Sequence, residues 1–168
     1  MVNKMNYWDG ENWLDVIKNN ISISYYLNGN LHRKDGPALV EYDDGNIKFE
    51  EYYINGELHR EDGPAFISYN HNGIIEDEAY FINGKRNREN GPSVIFRENN
   101  NIIKKAYFIN EHLHCNYGPA IVWYDVFGNI EKEEYYYYDI NFNPHRLPFK
   151  LPIDTKEKEF LLKLLYKE

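Results

Sequence analysis

Residues 52–65 read Tyr52-Tyr53-Ile54-Asn55-Gly56-Glu57-Leu58-His59-Arg60-Glu61-Asp62-Gly63-Pro64-Ala65, and the chain returns to this stretch several times. Its Gly-Pro pair recurs at 36/37, 91/92 and 118/119, so that successive pairs are 27, 28 and 27 residues apart. A period of this length indicates a repeat array, in which each unit buries little alone and is stabilised by its neighbours. Function is therefore expected on a repeated surface.

Each repeat has the sequence features of a β-hairpin. The predicted units cover residues 25–51, 52–79, 80–106 and 107–134, and a fifth unit begins at Tyr135 and decays by residue 140. Second strands are predicted after each Gly-Pro loop, at residues 38–42, 65–69, 93–97 and 120–124. Asn-Gly and Asp-Gly pairs supply the positive φ angles of tight hairpin turns. The sequence therefore predicts an all-β fold, an elongated single-layer antiparallel β-meander of about eight to ten strands with the usual twist.

Aromatic rings recur at the start of every unit. Because alternate residues of a strand face opposite ways, one face is predicted to carry Tyr53, Phe81, Phe108 and Tyr136, and the other Tyr52, Tyr80 and Tyr107. Two interpretations stay open: the rings form the small core of the sheet, or they line a groove that stacks sugars or cationic ligands. Because Tyr is a common anchor at interfaces, the candidate interaction surface is the set that begins the units, Tyr25, Tyr52, Tyr80, Tyr107 and Tyr135.

The loop before each Gly-Pro pair holds the residues that could do chemistry. The first two loops contain His-Arg-x-Asp, and with the histidine of the fourth loop the set is His32, Arg33, Asp35, His59, Arg60, Asp62 and His114. In an enzyme, a His would be the general base and an Arg would clamp an anion; in a binding site, the same groups would hold a ligand or a metal. Repetition favours a structural latch, in which Asp bonds backbone N–H groups while His and Arg bridge neighbouring loops.

Catalytic residues, metal sites and cofactors are not predicted. The sequence has no phosphate-binding glycine loop, nucleophile elbow or carboxylate pair of diagnostic spacing. The expected class is therefore non-enzymatic.

These motifs resemble the MORN-type repeat family over residues 25 to about 140. The resemblance is to a longer variant with Leu-His-Arg-x-Asp-Gly-Pro-Ala loops, which occurs in bacteria and large DNA viruses and which the first two units match at residues 31–38 and 58–65. The third unit departs from the pattern at Asn87 and Asn90, and the fourth at Cys115 and Tyr117. The resemblance implies an elongated hairpin tape used for scaffolding, protein interaction or membrane association, and it implies no defined catalytic residues.

The N-terminal residues 1–24 are expected to cap the first open strand, because exposed edges invite aggregation. A short helix is predicted over residues 11–18, with Trp13, Leu14 and Ile17 on one side and Asp9 as its N-cap. A decayed repeat turn at residues 7–10 is the alternative.

The C-terminal residues change character at Asn141. Residues 141–153 contain Pro144, Pro148 and Pro152 and are predicted to be a connector without strand or helix. Residues 154–168 predict an amphipathic capping helix, with Asp154 as N-cap and Glu157 in a capping box. Docking onto the last hairpin is expected, and self-association or binding in a partner's groove is the alternative.

Charge and cysteine content narrow the function further. A net charge of −8 opposes binding to nucleic acid and weighs against contact with an anionic membrane. The single Cys115 cannot form an intrachain disulfide or a structural zinc site. Neither a signal peptide nor a run of eighteen apolar residues is present, so a cytoplasmic location is expected. The 22 Asn use A/T-rich codons, which points to an AT-rich bacterium or a large DNA virus, and hence to host cytoplasm or virion.

The sequence therefore predicts a non-enzymatic module for protein–protein interaction or scaffolding, whose partner is a protein of unknown identity. The alternative is binding of a glycan or a membrane surface through the repeated aromatic face.

Overall fold

The computed structural model describes residues 2–115 and 118–143. Within these ranges the chain forms strands and turns and no helix. In chain order the strands are β1 Asn3–Trp8, β2 Trp13–Lys18, β3 Ser22–Leu27, β4 Asn30–Leu31, β5 Leu39–Asp43, β6 Asn46–Glu51, β7 Tyr53–Ile54, β8 Glu57–Leu58, β9 Phe66–Tyr69, β10 Ile75–Ala79, β11 Phe81–Ile82, β12 Lys85–Arg86, β13 Val94–Glu98, β14 Asn101–Ala106, β15 Phe108–Ile109, β16 His112–Leu113, β17 Ile121–Tyr124, β18 Ile130–Tyr137 and β19 Ile140–Phe142.

One long antiparallel sheet organises the described residues. Its strand order is β1-β2-β3-β5-β6-β9-β10-β13-β14-β17-β18-β19, with β4 paired to β3 off this path, which makes thirteen strands. At about 4.8 Å between neighbouring strands, the twelve strands on the path span about 50 Å. The predicted antiparallel meander is confirmed, and the predicted strand number is too low because β1, β2 and β19 also join the sheet.

A second row of short hairpins runs beside the main sheet. Strand β6 ends at Glu51, and the two-stranded hairpin β7–β8 that follows belongs to a separate sheet. Hairpins β11–β12 and β15–β16 repeat this arrangement. Backbone hydrogen bonds join successive hairpins, for example from the Gly56 N–H to the Leu31 carbonyl (2.8 Å) and from the Gly84 N–H to the Leu58 carbonyl (2.9 Å). Each unit thus contacts the next through two rows of backbone bonds.

The tight turns adopt the backbone conformation that the sequence predicted. Asn55 and Gly56 have φ angles of 52° and 84°, as a turn with two left-handed central residues requires. Hairpin β15–β16 makes the same turn with Asn110 and Glu111, at φ 51° and 75°. A non-glycine residue is strained at such angles, so Glu111 needs compensating contacts.

The core lies between the main sheet and the row of short hairpins. Its central cluster of buried residues is Ala79, Val94, Ala106 and Ile121, and the side chains that pack against it are Phe66, Phe81, Phe96, Phe108, Leu113, Trp123 and Tyr136. This face of the sheet is called the aromatic face below. The prediction that Phe81, Phe108 and Tyr136 share one face is confirmed, because all three pack on the same cluster.

The opposite face carries both aliphatic and charged side chains. Val40, Ile67, Ile95 and Val122 are buried, and the strand register aligns them across the sheet. Because directly paired residues of antiparallel strands project to the same face, these four side chains lie in one row, in which they alternate with Glu50, Glu78 and Lys105. The sheet therefore buries apolar side chains on both faces.

The predicted N-terminal helix over residues 11–18 is wrong. Residues 13–18 are strand β2, in which Leu14 and Val16 are buried while Trp13 and Asp15 are exposed. Asp9 does not cap a helix: its Oδ1 accepts hydrogen bonds from the backbone N–H groups of Glu11 (3.0 Å) and Asn12 (2.8 Å) in the β1–β2 turn. The alternative of a turn at residues 7–10 was closer to the observed hairpin, and the predicted capping of the first repeat strand is made by strand pairing.

The predicted connector begins later than Asn141, because residues 140–142 form β19 and pair with β18. Phe142 is buried and its ring lies 5.9 Å from that of Tyr135. The three prolines of the predicted connector and the predicted helix at residues 154–168 lie outside the described residues.

Candidate interaction site

An arginine covers the tyrosine that begins each of the first three units. The guanidinium carbon of Arg60 lies 4.0 Å from the centre of the Tyr52 ring, and that of Arg88 lies 3.8 Å from the centre of the Tyr80 ring. In the first unit, Arg33 lies 4.3 Å from the Tyr25 ring. At these distances a guanidinium is attracted to the ring face by a cation–π interaction. Three of the five tyrosines predicted as an interaction surface are therefore half-buried under the loop arginines.

The same arginines close their own loops. Arg60 donates from Nη1 to the Pro64 carbonyl (3.3 Å) and from Nε to the Asp62 carboxylate (2.8 Å). Arg88 donates to the Pro92 carbonyl (3.1 Å). The Arg60 guanidinium, through its hydrogen bond and its charge, lowers the pKa of Asp62 below the ordinary value. Arg60 and Asp62 therefore bond within one loop, whereas the latch interpretation expects Asp to bond backbone N–H groups and Arg to bridge neighbouring loops.

Histidine makes the bridge between units. The Asn55 backbone N–H donates to Nδ1 of His32 (3.1 Å), and the Asn83 N–H donates to Nδ1 of His59 (3.2 Å). Each imidazole thus accepts the backbone N–H of the next unit's Asn-Gly turn. His32 is buried, and its Nε2 lies 3.9 Å from the Asp9 carboxylate. These hydrogen bonds make the contact between units that the latch interpretation expects of His.

The fourth loop holds its histidine differently. His114 is buried, and its ring centre lies 4.7 Å from that of Tyr137 and 4.3 Å from that of Tyr138. The position of the loop arginine is occupied by Cys115, which is half-buried. Tyr107 is therefore not covered by an arginine of its own loop, although burial raises its pKa.

The first loop is tied to the N-terminal hairpin. Tyr7 donates its hydroxyl to Asp35, lies 5.4 Å from the Tyr25 ring, and accepts a hydrogen bond from Arg33 (3.3 Å). Burial acts to raise the pKa of Asp35, but the hydrogen bonds from Tyr7 and Arg33 outweigh it, and the pKa lies below its ordinary value. Lys34 pairs with Glu11.

Open grooves separate successive loops. The groove between the first and second loops has a volume of about 760 Å³, with Tyr52 and Ile54 among the residues lining it and Lys34 and Glu61 contributed by the two loops. The groove between the second and third loops has a volume of about 400 Å³ and is lined in part by the equivalent Tyr80 and Ile82 and by Glu61 and Glu89. These two spaces are the loop grooves. They present the same apolar residue types in two successive units.

A third cavity, of about 680 Å³, opens on the aromatic face beside Phe96 and Trp123. Lysines already contact its rings: the Lys132 ammonium lies 4.7 Å and the Lys104 ammonium 5.3 Å from the Trp123 ring centre. A sugar that stacked on this indole would compete with both ammonium groups.

Glu111 and Asp139 replace the second turn glycine with a carboxylate. Glu111 accepts hydrogen bonds from the backbone N–H of Arg86 and from its guanidinium (2.9 and 2.8 Å). Asp139 accepts from the Leu113 N–H (2.7 Å) and lies 2.6 Å from His112 Nδ1. Burial acts to raise the pKa of Glu111, but the bonds from Arg86 bring it below the ordinary value. These carboxylates provide the contacts that hold the strained turns on the preceding unit.

The charged side chains of the first two loops pair with one another. Arg33, His59 and Arg60 line the groove between the first and second loops. The carboxylates of these loops, Asp35 and Asp62, are bonded to the arginine of their own loop. Within the described residues, no group of three His, Cys, Asp or Glu side chains is arranged to hold a metal ion. No helix of this part of the chain could cross a membrane.

Sequence reasoning missed the Arg–Tyr stacks, although their signal was available. Tyr25 and Arg33, Tyr52 and Arg60, and Tyr80 and Arg88 are each eight residues apart. The fifth predicted surface residue, Tyr135, lies in β18 and donates its hydroxyl to Glu133 (3.0 Å), so its surroundings differ from those of the first three. The turn carboxylates were also missed, because their partners lie about one repeat away.

Comparison of the chain with protein-family models, with curated proteins and with solved structures found no match.

Proposed function

We propose that this protein is a non-enzymatic interaction module, which binds an extended segment of a partner protein across the loop grooves. The observation that carries the proposal is the recurrence of one groove in two successive units, each with a Tyr and an Ile of the same unit among its lining residues. Such a surface supplies aromatic and aliphatic contacts at a regular spacing. Tyr is an effective anchor at interfaces because its ring combines a large apolar area with a polar tip.

The spacing of the grooves suits an extended chain. Each unit adds two strands to the main sheet, so equivalent points of successive units are about 9.6 Å apart. A segment in the extended polyproline II conformation advances about 3.1 Å per residue with three residues per turn, so one turn spans about this distance and returns every third side chain to the same side. A partner segment with an apolar side chain at every third position would therefore place one in each groove.

The rim of the grooves favours a basic partner. The variable residue of the His-Arg-x-Asp loop is Lys34 in the first unit, Glu61 in the second and Glu89 in the third. Lys34 is paired with Glu11. The Glu61 side chain is 86% exposed, and its Oε1 lies 3.8 Å from Nε2 of His59. Since the chain also has a net charge of −8, Lys or Arg on the partner would be attracted to the second and third loops.

Glycan binding on the aromatic face is the second candidate, and the cavity of about 680 Å³ beside Trp123 favours it. The protein partner is preferred because Lys104 and Lys132 already contact that ring. We also propose that the chain is a MORN-type repeat protein and that its location is cytoplasmic. Residues 154–168 are proposed to form a helix that caps the sheet or self-associates.

A display experiment tests the proposal. A library of random linear peptides displayed on phage is selected on the wild-type protein, on Glu61→Arg with Glu89→Arg, and on a control with Glu76→Arg and Glu131→Arg. Both double variants change the net charge by the same amount, but Glu76 and Glu131 line other cavities. We expect basic peptides with a three-residue apolar period to bind the wild type and the control and to be lost from the groove variant.

Peptides that bind the groove variant and the wild type equally would contradict the loop grooves as the site. A glycan array tests the second candidate, glycan binding on the aromatic face. Glycans that bind the wild type and lose affinity on Trp123→Ala, without any enriched peptide, would favour the second candidate.

A further inference from the structure

The edge strand β1 presents an unpaired row of backbone groups. In the part of the chain that the structure describes, β1 pairs with β2 on one side and is the terminal strand of the sheet on the other. Its six pairs with β2 run without a register shift, from Asn3 with Lys18 to Trp8 with Trp13. The four inner hairpins of the main sheet each contain a shift. Bulges and prolines commonly protect sheet edges, and residues 3–8 contain neither.

The hydrogen-bond pattern shows which backbone groups face outward. The Asp9 N–H donates to the Asn12 carbonyl, so this is a hydrogen-bonded pair of the β1–β2 hairpin. Because hydrogen-bonded and non-bonded pairs alternate along an antiparallel ladder, Lys4, Asn6 and Trp8 belong to non-bonded pairs. Their N–H and C=O groups therefore point away from β2. The Asn19 N–H donates to the Ser22 carbonyl, so these two residues are a hydrogen-bonded pair at the end of the β2–β3 ladder. The residues of β2 that bond to β3 therefore alternate with those that bond to β1, as the assignment for β1 requires.

The edge is complementary to itself. In an antiparallel pair of two copies centred on Asn6, Lys4 lies opposite the second copy's Trp8, and Met5 lies opposite its Tyr7. The three outward-facing residues then form three hydrogen-bonded pairs, which exchange about six backbone bonds. Centring the pair on Met5 would use only Lys4 and Asn6 and would give about four. The register centred on Asn6 is therefore preferred.

Side chains favour the same register. Lys4 meets the ring of Trp8, which is 48% exposed, in a cation–π contact. Met5, which is 50% exposed, gains a sulfur–aromatic contact with Tyr7. The chain is acidic overall, but Lys4 is the only charged residue of β1. No pair of like charges is thus brought face to face across the new strand pair.

We propose that β1 is a self-association surface, where two copies pair antiparallel about a two-fold axis at Asn6 and form one continuous sheet. This surface is separate from the loop grooves and does not depend on the proposed peptide partner. Two-fold dimers with one patch used by both copies are the commonest closed assembly. The pairing leaves the loop grooves of both copies open, so the dimer would present two copies of the proposed peptide site.

Proline at position 6 tests the proposal. Because the Asn6 N–H points outward, Asn6→Pro in both copies removes the two bonds of the central pair of the dimer and no bond of the β1–β2 ladder. Proline is tolerated on an edge facing solvent. We expect the wild type to sediment at twice its chain mass of 20.1 kDa, Asn6→Pro at one chain mass, and the control Asn6→Ala as a dimer. Circular dichroism of each variant establishes that the sheet is retained.

Cysteine cross-linking tests the register, in a Cys115→Ser background. The Cα atoms of a hydrogen-bonded antiparallel pair are about 5.5 Å apart, which lies within the range that a disulfide spans. Asn6→Cys is expected to form a disulfide-linked dimer on mild oxidation, and Met5→Cys is expected to remain a monomer on a non-reducing gel. A monomeric wild type, a dimeric Asn6→Pro variant, or cross-linking through Met5→Cys alone would overturn the proposal.

Discussion

Removing the Arg60 side chain should destabilise the protein through the lost tyrosine stack rather than the lost ion pair. The guanidinium lies 4.0 Å from the centre of the Tyr52 ring and is a quarter exposed. A partly desolvated cation–π contact contributes about 1 kcal/mol, and the hydrogen bond to the Pro64 carbonyl contributes about 1 kcal/mol more. The ion pair adds little, since the Asp62 side chain is 82% exposed.

The expected cost of Arg60→Ala is therefore about 2 kcal/mol in the free energy of unfolding, or about 4 to 8 °C in the melting temperature of a chain of this size. Arg60→Lys should fall between Arg60→Ala and the wild type, because lysine keeps the charge and loses the planar group that stacks on the ring. Urea unfolding followed by circular dichroism measures the change.

Two further variants separate the stack from the ion pair. Asp62→Ala should leave the unfolding midpoint unchanged. Arg88→Ala should cost as much as Arg60→Ala, because Arg88 stacks on Tyr80 at 3.8 Å although Asn90 stands where the second loop has Asp62. The reasoning fails if Asp62→Ala destabilises the protein as much as Arg60→Ala, or if Arg88→Ala is silent.

Three other predictions concern single contacts. His59→Ala should speed hydrogen exchange of the Asn83 amide by removing its acceptor (3.2 Å), while His71→Ala on an exposed turn should not. Burial acts to raise the pKa of Asp9, but backbone hydrogen bonds bring it below 3.8. The stability that the Asp9 carboxylate contributes is therefore present above pH 3.8 and is lost as the pH falls through the lowered pKa. Asp9→Asn should make acid unfolding below about pH 4, followed by circular dichroism, less steep. Burial, with the nearby Glu51 carboxylate, raises the pKa of Tyr53 from 10.0 to about 12. The stability that the neutral Tyr53 phenol contributes is therefore complete below pH 10 and is lost between pH 10 and about pH 12. Tyr53→Phe should move the alkaline unfolding midpoint upward, as measured by tyrosinate absorbance and circular dichroism.

Turns were predictable because their chemistry is local. Asn55 and Gly56 are neighbours in sequence, and their preference for positive φ angles sets the turn without help from the rest of the chain. Glu111 makes the same turn against its own preference, with a partner, Arg86, that is 25 residues away. Sequence patterns within one hairpin could not identify that partner, because it belongs to the preceding unit.

The N-terminal helix was predicted from a short pattern that suits two structures. Trp13, Leu14 and Ile17 lie on one side of a helix, but Leu14 and Val16 also alternate with exposed residues as in a strand. The outcome was decided by two neighbouring strands, β1 and β3, which pair with β2 on both sides. Such tertiary pairing overrides local preference, and it is not encoded within residues 11–18.

The loops combine stability and recognition in adjacent positions, which determines how their function can be examined. Tyr52 lines a groove, but it also supports Arg60, so its replacement would weaken the fold and any binding together. Glu61 follows Arg60 directly, and its side chain is 86% exposed. A charge change there alters what a partner meets while the stack beneath it stays in place. The repeat keeps the Tyr and Arg that hold the loop in each of the first three units and varies the residue beside them, and for that reason specificity should reside at this variable position.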